Sequence, residues 1–199
     1  MKHSVIWFLL GSGCFLVAQP LTRIPLLSAI QQTTEYHLVL AVRPLLVGIM
    51  IAFSAGLFEE GFRFLFKLLI LKPPASRFSQ PILFGLGHGL TEAVLVLAPA
   101  MKVVSIDQLA VGILERILAV WLHVALTVIV WNGFQKGKRV FYLISALVVH
   151  GLVNTLIPVF SSHPQAIVLI EGSLLLIDLL LIVVVVYSKR VYVTREGLS

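Results

Sequence analysis

The sequence predicts an all-α fold, a polytopic transmembrane helix bundle of about six spans with both termini in the cytoplasm. Three observations predict it. Hydrophobic residues make up 59% of the 199-residue chain and charged residues only 12%, where a soluble domain carries roughly 25% charged residues; the mean hydropathy is +1.03. The apolar residues fall in about six runs, each near the roughly 20 residues that cross the hydrocarbon core. Lysine and arginine gather on every second connection between those runs, as the positive-inside rule demands of six spans that start and end in the cytoplasm.

The first run, 4–20, follows Lys2. It also fits a secretory signal, with Met1-Lys2-His3 leading an apolar stretch to Val17-Ala18-Gln19; cleavage would leave five spans and an outside N-terminus. The second run, 37–58, is expected to continue as one helix through 59–71, a stretch of good helix formers that stops before Pro73-Pro74. Runs 80–100, 106–132, 139–160 and 166–187 complete the set. The connection after the second run carries Arg63, Lys67, Lys72 and Arg77; the one after the fourth carries Lys136, Lys138 and Arg139; the tail carries Lys189, Arg190 and Arg195. The alternate connections set Arg23 against Glu35 and Lys102 against Asp107. No repeat or polar linker divides the chain, so 1–199 reads as a single integral membrane domain with its motif-bearing core at 50–155.

The formal charge of +6 does not imply nucleic acid, because no basic patch with interleaved aromatics exists and the cations sit at the ends of apolar runs. The partner they imply is the lipid bilayer. Cys14 is the only cysteine. It can form neither an internal disulfide nor a cysteine-based metal site, and reads as a packed small residue.

Against this background the ionisable residues inside apolar runs stand out. Each costs on the order of 3 kcal/mol or more at the bilayer centre, so a functional site is the default reading. Glu59 and Glu60 lie four and three residues before Arg63, so either can meet it on one helix face; alone, this motif equally fits a structural ion pair at a helix end. His88 and Glu92 share a face of the third run, and His150 and Asn154 repeat that spacing on the fifth. At about 1.5 Å per residue, His88 lies roughly 12 Å and His150 roughly 16 Å into their runs, which places them with Glu59 in the cytoplasmic half of the bilayer, around one cavity. Phe84-Gly85-Leu86-Gly87-His88-Gly89 permits close approach of another helix there.

A carboxylate beside imidazoles in low dielectric suits hydrolysis. Glu59 or Glu60 can deprotonate a water, His88 and His150 can hold that water or a metal carrying it, and Asn154 can donate to an oxyanion. Two histidines and a carboxylate also match a catalytic zinc site with an open position. Two cofactor readings therefore stand side by side: none, or one zinc ion held by His88, His150 and Glu59. Glu92 is a candidate to orient His88 from behind. Glu115 with Arg116 reads as a structural ion pair, with His123 two turns further on; Glu115 and His123 are secondary site candidates. Asp178 is expected to hydrogen-bond across the bundle.

The ordered set Gly56-Leu57-Phe58-Glu59-Glu60-x-x-Arg63, Phe84-Gly85-x-Gly87-His88-Gly89-x-x-Glu92, Glu115-Arg116 with His123, and His150-x-x-x-Asn154 resembles the CAAX-protease and bacteriocin-processing (Abi, or CPBP) superfamily, and within it the YhfC branch of intramembrane metalloproteases. The resemblance implies an endopeptidase of a prokaryotic plasma membrane, acting on a membrane-associated or lipid-modified peptide. Glu59 would activate water, Glu60 and Arg63 would support it, His88 and His150 would position water or metal, and Asn154 would stabilise the oxyanion. Two other readings compete. A proton-coupled transporter also keeps buried Glu, His and Arg, although it more often shows repeats and broken helices. A non-catalytic immunity or partner protein of the same fold would need none of these side chains for chemistry.

Overall fold

The structure is a computed structural model and describes residues 2–71 and 76–196. Lys72, Pro73 and Pro74 lie outside the described residues, as do the side chains of Lys2 and Arg195. Among the described residues every regular element is helical: α1 (Lys2–Ala18), a π-helical turn (Gln19–Arg23), α2 (Ile24–Gln31), α3 (Thr34–Val42), α4 (Pro44–Leu65) with a π-helical extension (Phe66–Ile70), α5 (Ser79–Ala100), α6 (Ile106–Lys136), α7 (Arg139–Phe160) and α8 (Ala166–Glu196). Among the described residues six stretches are long and apolar enough to cross a membrane: Ser4–Gln31, Pro44–Ile70, Ser79–Ala100, Leu109–Lys136, Arg139–Phe160 and Ala166–Tyr192. The protein is an integral, multi-pass membrane protein.

Two spans differ from the sequence expectation, and proline explains both. The first does not end near residue 20. Pro20 has no N–H to give the helix, and the chain widens into a π turn in which the N–H of Ile24 reaches the carbonyl of Gln19. The Thr22 hydroxyl lies 2.7 Å from the carbonyls of Val17 and Ala18, so backbone groups freed at the bulge regain a partner. The helix then runs on to Gln31. The second span starts later than 37. Arg43 precedes Pro44 and is driven out of the helical region, to φ −137° and ψ 57°. Residues before it form the separate α3, whose N-terminus is capped by the Thr33 hydroxyl accepting from the N–H of Tyr36.

Small residues set the order of the bundle. A methyl group on Gly87 would collide with the carbonyl of Phe8, and one on Gly11 with the carbonyl of Phe84, so α1 and α5 pack backbone against backbone. On the opposite face of α5, Gly85 and Gly89 admit the Cα atoms of Val124 and Val120. Helix α5 therefore lies between α1 and α6. Gly56 brings α4 against the backbone and the His150 side chain of α7. Residues 122–135 of α6 are buried without interruption, and around Phe84, Leu126, Trp131 and Phe134 they form the solid half of the core.

Candidate active site

The packing of α5 between α1 and α6, and of α4 on α7, brings the polar residues of separate spans together. Glu59, His88, His123 and His150 each stand within about 3 Å of the midpoint of their span, at about 1.5 Å per residue. The sequence places this group in the cytoplasmic half; the second span, which runs on to Ile70, sets Glu59 near the middle of its helix, level with the histidines.

The two glutamates divide. Glu59 Oε2 lies 2.9 Å from His88 Nε2 and 3.6 Å from His123 Nδ1. Its Oε1 accepts a 2.6 Å hydrogen bond from the side-chain amide of Gln19. Glu60 turns to the other side, where its Oε1 is bonded to Arg63 Nη1 and stands 2.8 Å from His150 Nδ1. Glu60 and Arg63 are fully buried, so the pair is a structural necessity: either charge alone would be stranded in low dielectric. Arg63 Nη2 stands 3.3 Å from His123 Nδ1, which ties the two halves of the cluster together.

His123, a secondary candidate in the sequence, is central here. Its ring centroid is 4.9 Å from that of His88 and 5.4 Å from that of His150. Its Nε2 stands 2.5 Å from Glu92 Oε2. Glu92 therefore serves His123 and not, as its spacing suggests, His88. Glu92 also accepts from Arg116 Nη1 at 2.9 Å, and Arg116 forks onto Glu115. The Glu115–Arg116 ion pair of the sequence reading is present, extended to Glu92. Asp178 is buried yet makes no hydrogen bond among the described residues, in contrast to the expected cross-bundle bond.

Two polar residues escaped the sequence reading. In the sequence Gln19 stands at a possible cleavage motif and Arg23 reads as a loop cation. Both lie in the π turn, inside the membrane. Arg23 Nη1 donates to Gln19 Oε1 at 3.0 Å, while its Nε and Nη2 donate to the Ser54 hydroxyl and the Ile51 carbonyl of α4. Their signal is the four-residue spacing of Gln19 and Arg23 in an otherwise apolar stretch, visible once the helix is allowed to continue past Pro20.

The cluster borders a cavity of about 520 Å³. Glu59, His123, His150 and Asn154 line it; Asn154 stands one turn beyond His150. The donor atoms of Glu59, His88 and His123 all lie within 4.8 Å of one another, and all three residues are buried. Two imidazoles and a carboxylate beside an open space are a donor set that fits catalytic zinc, and a carboxylate behind one of the imidazoles is the usual outer support. His88 Nδ1 is buried with no hydrogen-bond partner among the described residues. The fitting set holds His123 in place of the expected His150. The reason is which helices touch: α6, not α7, meets the Gly85–Gly89 face of α5.

No curated protein matches the sequence significantly. The profile of the YhfC intramembrane metalloprotease family matches residues 1–104 and 97–174, a range that reaches from α1 into α8 and contains the whole cluster. Together these matches span most of the chain, and it belongs to the YhfC intramembrane metalloprotease family.

Proposed function

We propose that the protein is an intramembrane metallopeptidase that hydrolyses a peptide bond of a membrane-associated substrate, with Glu59, His88 and His123 holding the metal. The observation that carries this reading is the convergence of those three side chains, from three different helices, with Glu59 and His123 lining the cavity. A zinc ion held there would supply Lewis-acid polarisation of water and carbonyl at neutral pH.

The other residues act around that set. Gln19 engages one oxygen of Glu59 and leaves the other to the imidazoles. Glu92 fixes the ring of His123 through Nε2. Glu60 occupies Nδ1 of His150, so Nε2 is the nitrogen left to take a proton from the attacking water and return it to the departing amine. The attacking oxygen adds to the carbonyl carbon, the C–N bond breaks, and carboxylate and amine products result. Asn154 supplies an amide N–H to the oxyanion. The reading thus departs from a simple assignment of water activation to Glu59, because both of its oxygens are engaged.

The test is cleavage of a membrane-anchored reporter peptide by purified protein in liposomes, followed by mass spectrometry of the products. Wild-type protein is expected to release one defined fragment, and Glu59→Gln none. Equal turnover by the Glu59→Gln variant would sink the assignment.

A further inference from the structure

We propose that the cavity opens to the non-cytoplasmic side of the membrane, so that the substrate is a membrane-anchored peptide presented from the outer half of the bilayer. The choice of a peptide rests on the peptidase reading; the direction of access rests on the shape of the cavity and on the placement of charge.

The cavity extends from the cluster in one direction only. On α4 no lining residue follows Glu59, and on α6 none follows His123; on α5 none precedes Glu92, and on α7 none precedes His150. These helices alternate in direction, so all four limits describe the same boundary at mid-depth. The lining continues to Gly48 on α4 and Ser161 after α7, near the ends marked by Pro44 and Phe160. Beyond the cluster in the other direction the space is filled: residues 122–135 are buried continuously, with Phe84, Trp131 and Phe134 packed across it, and the pocket of about 250 Å³ at that end, beside Tyr142 and Tyr187, is lined by no residue of the cluster.

Charge assigns the two ends. The solid end carries exposed Arg77, Lys136, Lys138, Arg139, Lys189 and Arg190. At the open end, exposed Arg43 and Lys102 are matched by exposed Glu35 and Asp107. Cations next to spans remain in the cytoplasm, so the solid end is cytoplasmic and the open end faces outward. A peptide in the aqueous cytoplasm would meet packed aromatic side chains, whereas one entering from outside would descend about half the membrane to reach Glu59.

Cysteine accessibility tests this without reference to hydrolysis. Cys14 is fully buried and can stay as an internal unreactive thiol, or be replaced by Ala if it labels. Ala119→Cys places a thiol on the cavity wall, and Lys138→Cys one at the solid end. In sealed right-side-out vesicles, a small membrane-impermeant methanethiosulfonate should modify Ala119→Cys, and should modify Lys138→Cys only after permeabilisation. The inference is overturned if Lys138→Cys reacts from outside, if Ala119→Cys reacts only after permeabilisation, or if a folded Ala119→Cys protein reacts from neither side. Correct labelling without any cleavage would retain the direction of access and remove the peptidase reading.

Discussion

Gln19 and Glu59, forty residues apart, are joined by a 2.6 Å hydrogen bond from the glutamine amide to Glu59 Oε1. The bond exists because Pro20 opens a π turn in the first span, and Arg23 holds the same glutamine from its other side. If Gln19 fixes the orientation of a ligand carboxylate, Gln19→Leu should lower zinc affinity by about 10–100-fold, the usual effect of losing an outer-shell partner. Competition titration with a chromophoric chelator measures this. Unchanged affinity in a folded variant would reduce Gln19 to packing.

Glu92 should behave alike for a different ligand. Its Oε2 stands 2.5 Å from His123 Nε2, so Glu92→Gln should also weaken zinc binding by about 10–100-fold. Unchanged affinity in a folded Glu92→Gln variant would show that Glu92 acts elsewhere.

How far the sequence carries can be seen in these residues. The six apolar runs were legible because bilayer thickness fixes their length, and Glu59, His88 and His150 because ionisable groups are rare in such runs. Helical spacing reports which residues share a face of one helix. It does not report which neighbour that face meets: the spacing pairs Glu92 with His88 on its own helix, whereas its carboxylate reaches His123 on α6. His123 ranks only second in the sequence for the same reason: its position inside an apolar run marks it, but its central place depends on the small-residue face of α5. Gln19 and Arg23 were hidden by Pro20, which reads as a helix end when the chain can widen instead.

Arg63 tests the electrostatics of the core. It is fully buried and bonded to Glu60. Arg63→Met leaves the buried Glu60 carboxylate with the His150 ring but without its cation and should cost about 3–5 kcal/mol, seen as a lower unfolding temperature in detergent. Adding Glu60→Gln should recover part of the loss. Equal stability of Arg63→Met and wild type would contradict a buried, mutually dependent pair.

Two glycines separate packing from propensity. Gly87→Ala drives a methyl into the Phe8 carbonyl, whereas a methyl on Gly61 meets nothing within 4 Å. Gly87→Ala should therefore reduce the yield of folded protein or cost at least the about 1–3 kcal/mol of an overpacked core. Gly61→Ala should be neutral or stabilise by roughly 0.5–1 kcal/mol, since alanine is the better helix former. Fluorescence-detected size exclusion and thermal unfolding distinguish the two.

The central claim is that Glu59, His88 and His123 hold the metal while His150, tied to Glu60, stands beside it. The most direct test is metal content by mass spectrometry of purified wild type, His123→Ala and His150→Ala, each shown to be folded. Wild type and His150→Ala should retain about one zinc per chain, the stoichiometry of a single catalytic site, and His123→Ala should retain none. A His123→Ala protein that keeps its metal while His150→Ala loses it would contradict the account.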